Sequence, residues 1–147
     1  MHLSEHFLLE ELTHSDVALR RGIENEPHVG EKANLARLAQ TLLEPARALW
    51  MAPIHVSSGY RSPEVNQLVG GAANSQHMAG LAADVVPIGL DIDGAFHMLR
   101  QSSLDYDQII LECNSWIHMS IPAFGADARR EALVATGGPG GWSYARI

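Results

Sequence analysis

Ser75-Gln76-His77-Met78-Ala79-Gly80-Leu81-Ala82-Ala83-Asp84, read with Trp116-Ile117-His118, is the part of this chain that decides its fold. His118 lies 34 residues beyond Asp84. Two imidazoles and one carboxylate make a three-ligand set that leaves a catalytic zinc one open position. The small residues Gly80, Ala82 and Ala83 allow a loop bearing His77 to turn into a strand bearing Asp84. In that strand, expected over 82–86, Ala82, Asp84 and Val86 share one face while Ala83 and Val85 share the other. Around His118 the alternation is cleaner. Ile117, Met119 and Ile121 point one way; Trp116, His118 and Ser120 point the other. An apolar back and a polar, ligand-bearing front are what a metal cleft on a sheet requires.

Outward from this centre the elements follow from caps and periodicity. Ile54 to Ser58 reads as a short strand. Ser62-Pro63 then supplies an N-cap and a proline at the first helical position, opening a helix that Gly70-Gly71 closes. Ser15 or Asp16 can cap a short helix broken by Gly22 and Pro27. From Gly30 to Trp50, Leu35, Leu38, Ala39, Leu42, Ala46 and Leu49 form one apolar helical stripe. Pro45 sits inside it, which predicts a kink or a break at Glu44. Asp91 caps a helix to about Gln101, and 106–121 reads as two strands joined near Asn114-Ser115. Gly137-Gly138-Pro139-Gly140-Gly141 reads as a flexible linker or loose end. The chemistry is therefore expected in one domain, 1–136, with a Gly-rich tail over 137–147. Helices with a small, mainly antiparallel sheet make the fold α+β.

A chain of 147 residues with 46% hydrophobic and 18% charged residues is an ordinary globular composition. The single cysteine, Cys113, excludes an internal disulfide and a four-cysteine zinc site. It reads as a small buried hydrophobe, and only secondarily as a nucleophile with a histidine base. No basic segment followed by an apolar core opens the chain, and no apolar run approaches a membrane span. The expectation is a protein made in the cytoplasm without a signal peptide. A net charge of −7 argues against nucleic acid as partner. His55, His97, His28, His14, His6 and His2 carry no ligand spacing.

The stretch Ser75 to Asp84 has the S-x-H-x-x-G-x-A-x-D pattern. It resembles the zinc D-Ala-D-Ala carboxypeptidases and their phage endolysin relatives, a group that extends to the metal-binding domain of hedgehog proteins. The resemblance continues upstream through Ser58-Gly59-Tyr60-Arg61-Ser62-Pro63 and Asn66, and downstream through Asp107-Gln108-Ile109-Ile110 and Trp116-Ile117-His118-Met119-Ser120. Leu3-Ser4-Glu5-His6-Phe7 and Ile23-Glu24-Asn25-Glu26-Pro27 look like the single-domain version of phages and prophages. The similarity covers residues 3 to about 122.

What the resemblance implies is one zinc ion held by His77, Asp84 and His118, in a peptidase acting on peptidoglycan stem peptides. Arg61 would pair with a substrate carboxylate or steady the developing oxyanion. Ser75 would hydrogen-bond substrate, and Trp116 would wall the cleft. Many relatives carry an acid three positions before the last ligand; this chain has Ser115 there. The nearest acid is Glu112, in the apolar run Ile109-Ile110-Leu111, where a carboxylate without a task is costly. Glu112 is therefore the expected general base, with His55 and Asp107 next. A two-residue hairpin loop would turn it away from His118, and a three-residue loop would set the two opposite each other on one face. The cut is either a terminal D-Ala release or an endolysin-type crosslink cleavage, after release to the wall, by a monomer. A zinc-bearing binding domain of the same fold is the alternative.

Overall fold

In the computed structural model, which describes residues 1–138 and 141–147, the alternation around Asp84 and His118 becomes two neighbouring strands. The strands are β1 (Ile54–Ser58), β2 (Ala82–Pro87), β3 (Gln108–Glu112), β4 (Trp116–Ser120), β5 (Glu131–Gly138) and β6 (Gly141–Arg146). They form one sheet in the order β1-β2-β4-β3-β5-β6. All pairings are antiparallel except β3 with β5. Helices α1 (Leu9–Thr13), α2 (Asp16–Arg21), α3 (Val29–Leu38), α4 (Glu44–Trp50), α5 (Pro63–Leu68) and α6 (Ile92–Gln101) complete an α+β architecture.

The two sheet faces have different fates because their residues alternate. Ala83, Val85, Ile109, Leu111, Ile117 and Met119 point into the core with Leu35, Leu38, Leu42, Phe96 and Leu99 of the helices. Each fully buried Leu or Ile stabilises the fold by roughly 2 kcal/mol. Trp50 adds a polar tie, its indole N–H donating to the Ala95 carbonyl at 2.9 Å. The opposite face carries Asp84, His118 and Glu112. Residues of α3, α4 and α6 pack on the apolar face, while α2 and α5 wall the cleft on the other.

Pro45 does not break the helical run. Residues Ala39–Leu43 form a π-helical turn that leads directly into α4. Proline has no N–H to donate one turn back, and a wider turn ahead of it accommodates the lost bond without ending the helix. Ser15, Ser62 and Asp91 cap their helices as the sequence predicts, each accepting a backbone N–H.

The C-terminal region departs from expectation. The chain pairs β5 with β3 and returns as β6, with Gly138 opposite Gly141. The glycines mark a hairpin rather than a loose end; Pro139 and Gly140 lie outside the described residues. Ala132 and Val134 face the core while Leu133 and Ala135 face the cleft, so no apolar–polar alternation marks this segment as a strand. No helix among the described residues is long and apolar enough to cross a membrane.

Candidate metal centre

His77, Asp84 and His118 reach one point from three elements. His77 sits in a 3-10 turn, Gln76–Ala79, started by Ser75, whose hydroxyl accepts the His77 N–H at 3.2 Å. Gly80 ends the turn with φ +73, and a Cβ there would lie 2.6 Å from the Glu31 carbonyl oxygen. A side chain at this position is excluded on both counts. Asp84 and His118 are direct neighbours across the β2–β4 ladder.

The geometry suits a cation. His77 Nδ1–H donates to the Gly59 carbonyl at 2.7 Å, which leaves Nε2 as a lone-pair donor toward the centre. That Nε2 is 3.3 Å from Asp84 Oδ1, and His118 Nδ1 is 3.2 Å from the same oxygen. Edges of about 3.3 Å are those of a tetrahedral site with bonds near 2.0–2.1 Å. All three residues are buried, and their donor atoms lie within 4.8 Å of one another. Burial opposes ionisation of Asp84, but positive charge at the two histidines outweighs it, a role a bound cation fills when the imidazoles are neutral ligands. The carboxyl is held well below the usual range. Two imidazole nitrogens and a carboxylate oxygen are a donor set that fits zinc and can hold a metal ion.

A second layer of residues holds these three in place. A Cβ on Gly59 would fall 2.2 Å from the Leu12 carbonyl oxygen, so only glycine lets α1 come this close. The same Leu12 oxygen accepts the Tyr60 N–H at 2.7 Å, and the Arg61 N–H bonds the His77 carbonyl at 3.1 Å. Arg61 donates from Nε to Ser58 at 3.2 Å and from Nη1 to Asn66 at 2.9 Å, with Nη2 3.5 Å from Asp84 Oδ2. Three of its five N–H groups are thus engaged by the protein, and the side chain still lines the cleft. Gly71 is small for the same reason, since a Cβ would lie 2.0 Å from Asn66 Oδ1.

The cleft measures about 1070 Å³ and brings together Arg61, Ser75, His77, Asp84, Glu112, Trp116 and His118. The hairpin loop holds three residues, 113–115, with Cys113 and Asn114 at φ 50 and 52. Glu112 consequently opposes Trp116, while Ile110 opposes His118. Glu112 and His118 share a face but are diagonal neighbours rather than directly opposite. Burial pushes the Glu112 carboxyl up, and the Asp84 charge pushes it further; His118, Trp116 and Arg61 offset this only in part. The Trp116 indole N–H favours the ionised form of Glu112, yet Nε1 makes no hydrogen bond of ordinary geometry. His118 Nε2 is likewise buried without a protein partner.

Two other candidates leave the site. Asp107 is buried under Arg129, whose Nη2 lies 2.8 Å away, and also accepts from Gln76 at 2.9 Å. His55 is exposed on β1 and does not line the cleft. Cys113 is half-buried in the hairpin turn rather than in the core, because the tight turn places it at the sheet's end. Its Sγ donates to the Gly137 carbonyl at 3.5 Å. Sequence reasoning missed the Gly59 carbonyl as the anchor of His77, Gln76 as a partner of Asp107, and Trp142 and Tyr144, which line the far end of the cleft. The Trp-x-Tyr alternation was a strand signal for the last pair.

No curated protein matches the chain. A family model described as Peptidase M15 matches residues 5–120, which span α1 through β4 and include His77, Asp84, Glu112 and His118. With a donor set able to hold a metal at the heart of that match, the chain belongs to the Peptidase M15 family.

Proposed function

We propose that this chain is a zinc peptidase that hydrolyses peptidoglycan stem peptides, as a D-Ala-D-Ala carboxypeptidase or an endolysin-type endopeptidase. The observation that carries the reading is a second carboxylate, Glu112, in the same cleft as the His77–Asp84–His118 set, with its affinity for protons raised. A zinc ion held by His77 Nε2, Asp84 Oδ1 and His118 Nδ1 would supply Lewis acidity and water activation near neutral pH. Glu112 would accept the proton of the attacking water and return it to the leaving amine nitrogen. A carboxyl with raised proton affinity suits both transfers. Arg61, with its remaining N–H groups, would bind a substrate carboxylate or the developing oxyanion. The Ser75 hydroxyl, an acceptor for the His77 N–H, keeps its own proton to donate to substrate. Trp116 would wall the peptide's path.

The test is digestion of purified peptidoglycan by the zinc-loaded protein, followed by mass spectrometry of the fragments. The expected result is hydrolysis of a stem-peptide amide bond, which Glu112→Gln slows roughly 10²–10⁴-fold with zinc content unchanged. If metal is bound and no bond is cut, a zinc-bearing binding domain is the better description. A loss of stability without a specific loss of rate would make Glu112 structural.

A further inference from the structure

Two aromatic rings at the far end of the cleft lie outside the family match and have no part in the hydrolytic chemistry above. Trp142 and Tyr144 project from β6 on the cleft face, 46% and 56% exposed. Standing two residues apart on one strand, they are spaced by about 7 Å. The register sets Tyr144 beside Ala135, and Ala135 beside Glu112. Ala135 is fully buried, so the row runs from the base to the phenol over a small methyl. Between the metal ligands and the rings the floor is apolar, made by Ile110 and Leu133, which pair with each other across β3 and β5.

The distance along this floor sets what reaches the rings. From β4 to β6 there are three strand spacings, or about 14 Å. An extended peptide covers that span with about four residues. In a wall stem peptide this is the reach from the sugar to the terminal D-Ala–D-Ala bond, and it is too long for a cut beside the sugar. The chemistry at the far end suits a neutral ring. Arg146, on the same strand as the rings, is neutralised by Glu131 at 2.9 Å, and Arg129, in the cleft lining, by Asp107 at 2.8 Å. Each aromatic ring offers a flat apolar face and a polar tip, the complement of a sugar's C–H face and hydroxyl rim.

Resting on the stem-peptide reading above, we propose that Trp142 and Tyr144 form a saccharide subsite. It holds the sugar at the head of a stem peptide whose D-Ala–D-Ala bond lies at the His77–Asp84–His118 centre. The peptide then crosses β3 and β5 with its sugar end toward β6, which gives the substrate a direction in the cleft.

The probes are one stem peptide ending in D-Ala–D-Ala, made with and without an N-acetylmuramic acid residue at its head. With the zinc-loaded protein, kcat/KM should favour the sugar-bearing probe by about tenfold, through KM. Trp142→Ala and Tyr144→Ala should each bring that ratio close to one, while Trp142→Phe retains most of it. A ratio of one in the unaltered protein, or equal losses on both probes, overturns the proposal. Should neither probe be cut, the peptidase reading fails, and calorimetric Kd values for the two probes decide the subsite separately. Tighter binding of the sugar-bearing probe that Trp142→Ala abolishes supports it; equal binding of both probes overturns it.

Discussion

Arg61 shows how much one side chain is asked to do. Its fork bonds Ser58 and Asn66 and approaches the outer oxygen of Asp84, so it braces the Asp84 carboxylate as well as facing the cleft. A lysine keeps the charge but cannot reproduce three directed N–H bonds at once. Arg61→Lys should therefore cost about 1–2 kcal/mol in stability through lost hydrogen bonds. It should also lower kcat/KM roughly 10–100-fold with zinc content unchanged. Chemical denaturation, metal analysis and kinetics on a soluble stem peptide separate these effects. Unchanged turnover with the stability loss alone would confine Arg61 to bracing Asp84.

At the scale of elements, Asp107 ties three pieces of the site's surround together. It lies just ahead of β3, accepts from Gln76 in the turn that carries His77, and takes both the backbone and side-chain N–H groups of Arg129. Its own carbonyl accepts the Glu131 N–H that starts β5. Burial pushes the Asp107 carboxyl up, but the hydrogen bonds from Arg129 and Gln76 outweigh it, and the net shift is downward. A carboxyl held below its unfolded value of about 3.9 contributes stability that is present above that pH. The contribution is lost as pH falls through the lower folded value. Asp107→Asn should cost about 1–3 kcal/mol at pH 7. Half-exposed Arg129 puts the expected figure at the low end. The difference from wild type should shrink at about pH 3, below the unfolded value, because the unfolded state has by then largely taken up its proton. Urea titrations at the two pH values check this, and an equal cost at both would show that Asp107 acts through shape rather than charge.

Across the whole molecule, the helix-covered face and the ligand-bearing face are nearly independent. Core packing of Leu35, Leu38, Leu42, Phe96 and Leu99 against the sheet involves none of the three ligands. Metal binding should thus add to an already folded chain. Zinc at about 100 times its Kd should stabilise by about 2.7 kcal/mol. For a domain of this size that is a Tm rise of roughly 5–10 °C, reversed by EDTA. His118→Ala should fold and show no zinc-dependent rise in a thermal scan. The same rise in His118→Ala would place the metal elsewhere.

The sequence by itself determined the α+β class, the strand carrying Asp84, the alternation around His118 and the helix caps at Ser15, Ser62 and Asp91. Each of these is a local matter: a two-residue period selects a face, and a hydroxyl or carboxylate three residues ahead satisfies a helix N–H. The pairing of His77 with Asp84 was legible too, because ten residues carry both the turn and the strand that hold them, and His118 joined them through the separate Trp116-Ile117-His118 stretch. Only the tertiary structure decided the rest. Whether Glu112 shares a face with His118 turned on one residue of hairpin loop, since a shift of one flips every side chain. Glycines 59 and 71 have no local reason to be glycine; each is required by a backbone or side chain distant in the chain or folded back upon it. The last strands escaped notice because β5 is apolar on both faces and β6 is held by β5 alone at the sheet's edge. A pattern along the chain records which side of an element is buried, but not which partner buries it, and the aromatic end of the cleft depends on that partner.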